Sequence, residues 1–422
     1  MNDNGQSSRA DLFERVAELV AIPSLTGDES DAIDWVHGWL EGASPDEIER
    51  WNDPVAILEM DADYPGREVE RTIVPVVAAR IRGSEPGPIV TLTGHVDTVP
   101  PGDPRRWTAD PWEPRREGDR LYGLGACDMK GGIVAAVAAF ATLAARSRDF
   151  GGELQLVAVP GEEDGGIGTL SAIRHGWGGD LVIVTEPTSR GGTPQIVVAH
   201  GGALTFTIEV VGRSAHASIA PEGENALDHF WVINQALRRI EREVNERESN
   251  PVMVALGTPY ATNVGRVAGG VWSASVMEHL SAEVRMGVAL GETIAEAEQR
   301  VIDGVMAAAA EDPWLHVHPP MVARSGGAFG SAHTPISHHL VTTLTAAAAG
   351  SDGQRPETIG VPYGCDMALW QRVGGSTPVV FGPGDIRQAH APDEWVSMAQ
   401  VGEVAEVLVA TCSALLGFRG SG

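Results

Sequence analysis

The chain has 422 residues and sets 30 Lys+Arg against 57 Asp+Glu, a formal net charge of −27, with an ordinary apolar content of 43%. A field of that sign repels phosphate backbones and anionic headgroups, so nucleic acid and membrane surfaces are excluded as expected partners. The length is too great for one simple core, and two domains, one able to interrupt the other, are expected.

No stretch approaches the roughly 20 consecutive apolar residues that span a bilayer. Met1-Asn2-Asp3-Asn4-Gly5 lacks the basic start and apolar core of a secretory signal, so a soluble, cytoplasmic protein is expected. Cys127, Cys365 and Cys412 are too few and too scattered for a disulfide framework and read as buried free thiols.

In chain order, Leu12 to Val20 has helical spacing, and Ser24 to Glu29 forms a loop whose acids open a second helix. Residues 73–82 and 89–93 read as strands, followed by a Pro- and Trp-containing loop from Pro100 to Pro114. Met129-Lys130-Gly131-Gly132 opens an Ala-rich helix reaching about Arg148, which places Asp128 at its N-terminus, where the helix dipole favours a carboxylate. After Glu186 the pattern changes. Leu204, Phe206, Ile208 and Val210 alternate with Thr205, Thr207 and Glu209, the period of a half-exposed antiparallel strand. An amphipathic helix near 226–248, strands near 252–256, 263–277 and 279–288, a helix near 293–310 and a strand from Trp314 to Val322 follow. They predict a four-stranded α+β domain inserted at 199–323. Strand Pro378 to Phe381 and a helix from Ser397 to Leu416 return to the first style, so 1–198 and 324–422 are expected to form one α/β domain. Its sheet is predicted to be mixed and mostly parallel, flanked by helices.

Three apolar runs end abruptly in chemistry: Ile89 to Thr93 leads into His95 and Asp97, Leu154 to Val159 into Glu162 and Glu163, and Leu181 to Val184 into Glu186. Continuous apolar runs are strands buried on both faces, and ligands bind at the carboxyl ends of such strands. A divalent metal explains that density of acid. His95 and Asp97 lie two apart, so Asp97 can accept the second N–H of a metal-bound His95. Glu162 and Glu163 diverge in direction, so one can bind metal while the other faces a substrate water. His390, after a Gly-Pro-Gly turn, is balanced between ligand and surface residue.

Six motifs carry a family resemblance: His95-Val96-Asp97-Thr98-Val99-Pro100, Gly125-Ala126-Cys127-Asp128-Met129-Lys130-Gly131-Gly132, Gly161-Glu162-Glu163, Thr185-Glu186-Pro187-Thr188, Gly212-Arg213-Ser214-Ala215-His216-Ala217-Ser218 and His390-Ala391-Pro392-Asp393-Glu394. In this order they resemble the dinuclear zinc hydrolases that include acetylornithine deacetylase, succinyl-diaminopimelate desuccinylase, aminoacylases and glutamate carboxypeptidases. The resemblance runs from about residue 10 to 415. It implies a zinc-exopeptidase-like catalytic domain and an inserted lid and dimerisation domain. It implies that Asp128 bridges two divalent metals, with His95 and Glu186 on one and Glu163 and His390 on the other. Zinc suits the donors, and cobalt or manganese would also be accepted. Glu162 is implied as the general base on the bridging water, and His216 as an oxyanion-stabilising residue that reaches across a homodimer. Asn263 and Arg285 match positions that hold a substrate carboxylate. The implied activity is hydrolysis of an N-acyl amino acid amide, with a dipeptidase or carboxypeptidase as the near alternative and a non-catalytic metabolite-binding relative as the distant one. Leu124, where many relatives have arginine, and Gly364-Cys365-Asp366-Met367, where a Thr-Asp or Ser-Asp pair is more usual, depart from the pattern near the substrate pocket. Cys127 before Asp128 is similar to the acetylornithine deacetylase branch.

Overall fold

The apolar runs form strands because each feeds two cores at once. Leu154, Leu156 and Ala158 pack into one cluster and Val157 and Val159 into the cluster on the opposite face; Leu181 and Ile183 divide from Val182 and Val184 in the same way. The computed structural model describes residues 9–146, 148–350 and 355–418. Met1 to Gly5, where a leader was sought, lies outside them.

The large sheet runs Glu47–Pro54, Ile73–Arg82, Gly151–Val159, Glu85–His95, Leu181–Val184, Thr377–Val380, Ile196–His200 and Ala332–His333, with Thr358–Val361 also paired to Ile196–His200. It is mixed, and its four middle strands, from Gly151–Val159 to Thr377–Val380, are all parallel. Their carboxyl ends therefore lie side by side. Helices Arg9–Val20, Gly131–Ala144 and Met398–Leu416 contribute to the core on one face of this sheet. Two of these belong to apolar helical stretches long enough to cross a membrane, Ala126–Ala144 and Met398–Leu416; they pack against each other, and the first is almost wholly buried. Gly132 explains the seating of the first helix, since a Cβ there would lie 2.0 Å from the carbonyl oxygen of Thr185.

A second sheet of four antiparallel strands has the order Thr262–Gly269, His279–Val288, Gly202–Val211 and Met321–Phe329. Helices Ala226–Glu246 and Ile294–Glu311 bury their apolar stripes against it. Three element expectations change. Residues 252–256 are not a strand; Pro251–Val254 is a short helix, because Pro251 occupies its first turn and the Asn250 side chain accepts from the Val252 N–H at 3.1 Å. The strand expected over 263–277 ends at Gly269, where Gly270 turns with φ +67°. The strand expected from Trp314 starts only at Met321, because the Asp312 side chain accepts from the Trp314 and Leu315 N–H groups and curls that segment.

Candidate metal centre

Four parallel strand ends deliver the chemistry. His95 closes Glu85–His95, Glu162 and Glu163 follow Gly151–Val159, Glu186 follows Leu181–Val184, and His390 lies in the loop after Thr377–Val380. His95 Nε2 lies 3.3 Å from Asp128 Oδ1 and 3.3 Å from Glu186 Oε1. His390 Nε2 lies 3.1 Å from Glu163 Oε1 and 3.6 Å from Asp128 Oδ2. The two oxygens of Asp128 thus face two different imidazoles. Donor atoms of His95, Asp128 and Glu163 all fall within 4.8 Å of one another, as do those of His95, Glu162 and Glu186. One imidazole with carboxylates at that spacing fits a zinc-, manganese- or cobalt-sized divalent ion.

Asp97 has more to do than orient an imidazole. His95 Nδ1 lies 3.1 Å from the Asp97 backbone carbonyl and 3.4 Å from its carboxylate. That carboxylate also accepts from the backbone N–H of Glu162 at 3.3 Å, the backbone N–H of Glu163 at 3.2 Å and the Thr26 hydroxyl at 3.2 Å. One side chain therefore ties the His95 strand end to the Glu162–Glu163 turn. The turn is gripped from its other side by Arg71, whose buried guanidinium donates to Glu29 and Asp164, both at 3.1 Å. Gly161, with φ +69°, leaves room for this packing; a Cβ there would lie 2.6 Å from an Arg71 terminal nitrogen.

Asp128 is positioned differently from the sequence expectation. It lies in an irregular turn ahead of the helix Gly131–Ala144, with φ −117° and ψ 96°, and Lys130 holds the cap position. Its backbone is held instead by Glu394. That buried carboxylate accepts from the N–H groups of Gly125 at 3.0 Å, Cys127 at 2.8 Å and Asp128 at 3.0 Å. The loop that carries His390 thereby also fixes the turn that carries Asp128. Both His390 and Asp393 adopt positive φ, and Asp393 accepts from the Thr108 N–H and hydroxyl, which pins the loop tip.

The crowding shows in the titration of the acids. Burial and the Glu186 charge push Glu162 well above its usual range; burial and the Asp128 charge raise Glu163, and raise Glu186 to about 8. Burial also acts to raise Asp128, but the hydrogen bond and charge of His95 outweigh it and leave Asp128 lowered. His390 is raised to about 9, first by its contact with Glu163. Burial drives Glu394 up to about 8 against the pull of its three N–H donors. These are carboxyls competing for too little positive charge, a deficit that a bound divalent cation relieves.

The structure therefore brings together His95, Asp97, Asp128, Glu162, Glu163, Glu186 and His390. It does not bring His216, Asn263 and Arg285 to them: among the described residues, no hydrogen bond or ion pair joins these three to the cluster. His216 is exposed, with Nδ1 2.8 Å from the Ser218 hydroxyl. Asn263 and Arg285 are cross-strand partners on the second sheet, and the Arg285 guanidinium lies 5.7 Å from the Phe329 ring centroid. Sequence reading assigns no part in the centre to Arg71 or Asp164 and only a helix-opening one to Glu29, while Glu394 lies inside the His390-to-Glu394 motif without a role of its own.

The sequence pattern of peptidase family M20/M25/M40 matches residues 91–414. The chain belongs to this family. Among its relatives, N-acetyl-L-citrulline deacetylase of Xanthomonas campestris pv. campestris is 30% identical over 82% of this chain and 87% of that protein. The N-formyl-4-amino-5-aminomethyl-2-methylpyrimidine deformylase of Bacillus subtilis is 26% identical over 89% of this chain and 87% of its own length. The fold matches an M20 family metallo-carboxypeptidase from Sulfolobus solfataricus with TM-score 0.74 and 17% identity, covering 95% of this chain and 98% of that one. The M20 chain described here is a metal-dependent amide hydrolase.

Proposed function

We propose that this M20 hydrolase removes the acyl group from an N-acyl amino acid, using Glu162 as the proton carrier. The observation that carries the reading is the division between two adjacent glutamates. Glu163 is tied to His390, whereas the Glu162 carboxylate is buried, has no hydrogen-bond partner among the described residues and lies within reach of His95 and Glu186. A buried carboxylate raised in pKa and free of partners suits taking a proton from the attacking water and passing it to the leaving amine.

The proposed metal ligands are His95 and Glu186 on one side, Glu163 and His390 on the other, and Asp128 between them. Two ions are proposed, zinc first, with cobalt and manganese as alternatives. Bound there, they would polarise the scissile carbonyl and acidify the attacking water. Asp97 holds the His95 ring and the glutamate turn in register.

The expected boundaries at 199 and 323 fall inside Ile196–His200 of the large sheet and Met321–Phe329 of the second, so residues up to 201 and from 330 are proposed to act as the catalytic domain, with 202–329 as a lid through which two copies pair. Support comes from the edge strand Thr262–Gly269, whose outer side has no strand partner among the described residues, and from exposed Val267, Val271, Trp272 and Trp231. Pairing would let His216 serve the partner's site as an oxyanion donor, and Asn263 and Arg285 would hold the substrate carboxylate. Three buried, unpaired cysteines fit work in the cytoplasm.

Assay of N-acetyl and N-succinyl amino acids beside dipeptides tests the reading. Glu162→Gln is expected to retain metal while losing on the order of 10²–10⁴-fold in turnover of the acyl-amino acids. Turnover confined to dipeptides would favour a peptidase, and unchanged turnover in the variant would remove Glu162 from its role.

A further inference from the structure

Beside the acid cluster lies a cavity of about 620 Å³ walled by Val197, Ile359, Val361 and the ring of Tyr363. Pro187 lines it and directly follows Glu186, so cavity and metal centre share a strand end. Two further links tie them together. The carbonyl of Asp385, which lines the cavity, accepts from the Cys127 thiol at 3.4 Å, and Cys127 precedes Asp128. The Tyr363 phenol is held well above its usual range by burial, with the charges of Glu186 and Asp128 adding to the effect.

The charges on the remaining wall are unequal. Arg190 and Arg387 line the cavity with a single carboxylate, Asp385. That carboxylate is already engaged: it accepts from Arg387 Nε at 2.9 Å and from the Arg387 backbone N–H at 3.1 Å. An ammonium entering the cavity would meet apolar walls, two guanidiniums and an occupied acceptor. It would exchange its hydration for at most the Thr188 and Ser189 hydroxyls, already bonded to the Gly382 backbone and the Gln400 side chain, with no free carboxylate to balance its charge. An aliphatic or benzyl group would lose only unfavourable water contact, and the volume lies within the usual range of ligand cavities, about 300–1,000 Å³.

We infer that this cavity is the subsite for an apolar side chain of the substrate, so that N-acylated leucine- and phenylalanine-type amino acids are preferred over cationic ones. The inference rests on the deacylase reading and narrows it, since a cationic side chain such as that of N-acetylornithine is selected against. Specificity is set by Ile359 and Val361 as wall, Ile386 at the mouth, and Arg190 and Arg387 as a barrier to cations.

The test is kcat/KM of the metal-loaded enzyme on N-acetyl-L-leucine, N-acetyl-L-phenylalanine, N-acetyl-L-ornithine and N-acetylglycine. Leucine and phenylalanine substrates are expected to exceed ornithine by roughly 10–200-fold, the range one side-chain group commands in an apolar pocket. Ile386→Trp narrows the mouth from a short turn without buried residues, Ile386–Gln388, and is expected to lower the leucine-to-glycine ratio about tenfold. Arg190→Glu, on an exposed side chain, is expected to raise the ornithine-to-leucine ratio. Ornithine turned over as well as leucine, or a leucine-to-glycine ratio unmoved by Ile386→Trp, would overturn the subsite while leaving the deacylase reading intact. If only dipeptides are cleaved, the deacylase reading falls alone. The same ratios, read on alanyl-leucine and alanyl-ornithine, then decide the subsite.

Discussion

His200 closes the strand Ile196–His200 with a wholly buried ring, Nδ1 3.0 Å from the Gly201 carbonyl and Nε2 without a partner among the described residues. Burial lowers its pKa to about 4, below the ordinary value of 6.5. Between those values the unfolded chain binds a proton that the folded one refuses, so stability rises with pH across the window. The contribution is complete above pH 6.5 and is lost as the pH falls towards 4; on that shift it amounts to about 3 kcal/mol. Thermal melting from pH 4.5 to 7 should fall more steeply on the acid side for the native chain than for His200→Gln. Parallel curves would exclude this histidine as the source. At the same scale, the sequence suggested that Asp97 accepts from His95. It did not disclose the backbone N–H groups of Glu162 and Glu163, because a carboxylate's backbone partners depend on which chain segments the fold brings near it.

At the scale of elements, the loop from Asp385 to Trp395 does two jobs through residues four apart. It presents His390, and through Glu394 it holds the turn bearing Asp128. Glu394→Gln sets an amide nitrogen among N–H donors and is expected to weaken metal binding by about 10–100-fold, as loss of a ligand-orienting partner does. Metal retained after dialysis against graded chelator reads this directly; retention equal to the native chain would refute it. Three of the four strand ends, those before His95, Glu162 and Glu186, were legible because a strand buried on both faces must be apolar throughout and must break where it reaches solvent and ligand. The strand Met321–Phe329 was harder to see, since Gly326 and Gly327 interrupt its alternation and pairing with Gly202–Val211 is what holds it extended. Arg71 was illegible for another reason. It stands in an irregular segment, and its two carboxylate partners, Glu29 and Asp164, are distant in sequence.

For the whole molecule, the expectation that remains to be measured is pairing. If two copies join through the second sheet, mixing His216→Ala with Glu162→Gln should restore activity that neither variant has alone, because one site of a mixed pair would hold both intact residues. Sedimentation of the native chain, compared with Trp231→Asp and Trp272→Asp together, should show loss of the larger species. A native chain that sediments as one copy at assay concentration would instead confine His216 to its own chain.

The position of Thr377–Val380 in the large sheet has a further consequence. This segment lies between Leu181–Val184 and Ile196–His200, so the sheet is bridged across its middle by residues made well after both of its neighbours. Until it inserts, Leu181–Val184 has no neighbour on that side, and His390 and Glu394 have no place from which to act. Such distant pairing is slow, since loop closure must precede any gain from contact. A chain synthesised only as far as residue 376 therefore carries most of the clustered acids without the strand and loop that bring His390 and Glu394 to them.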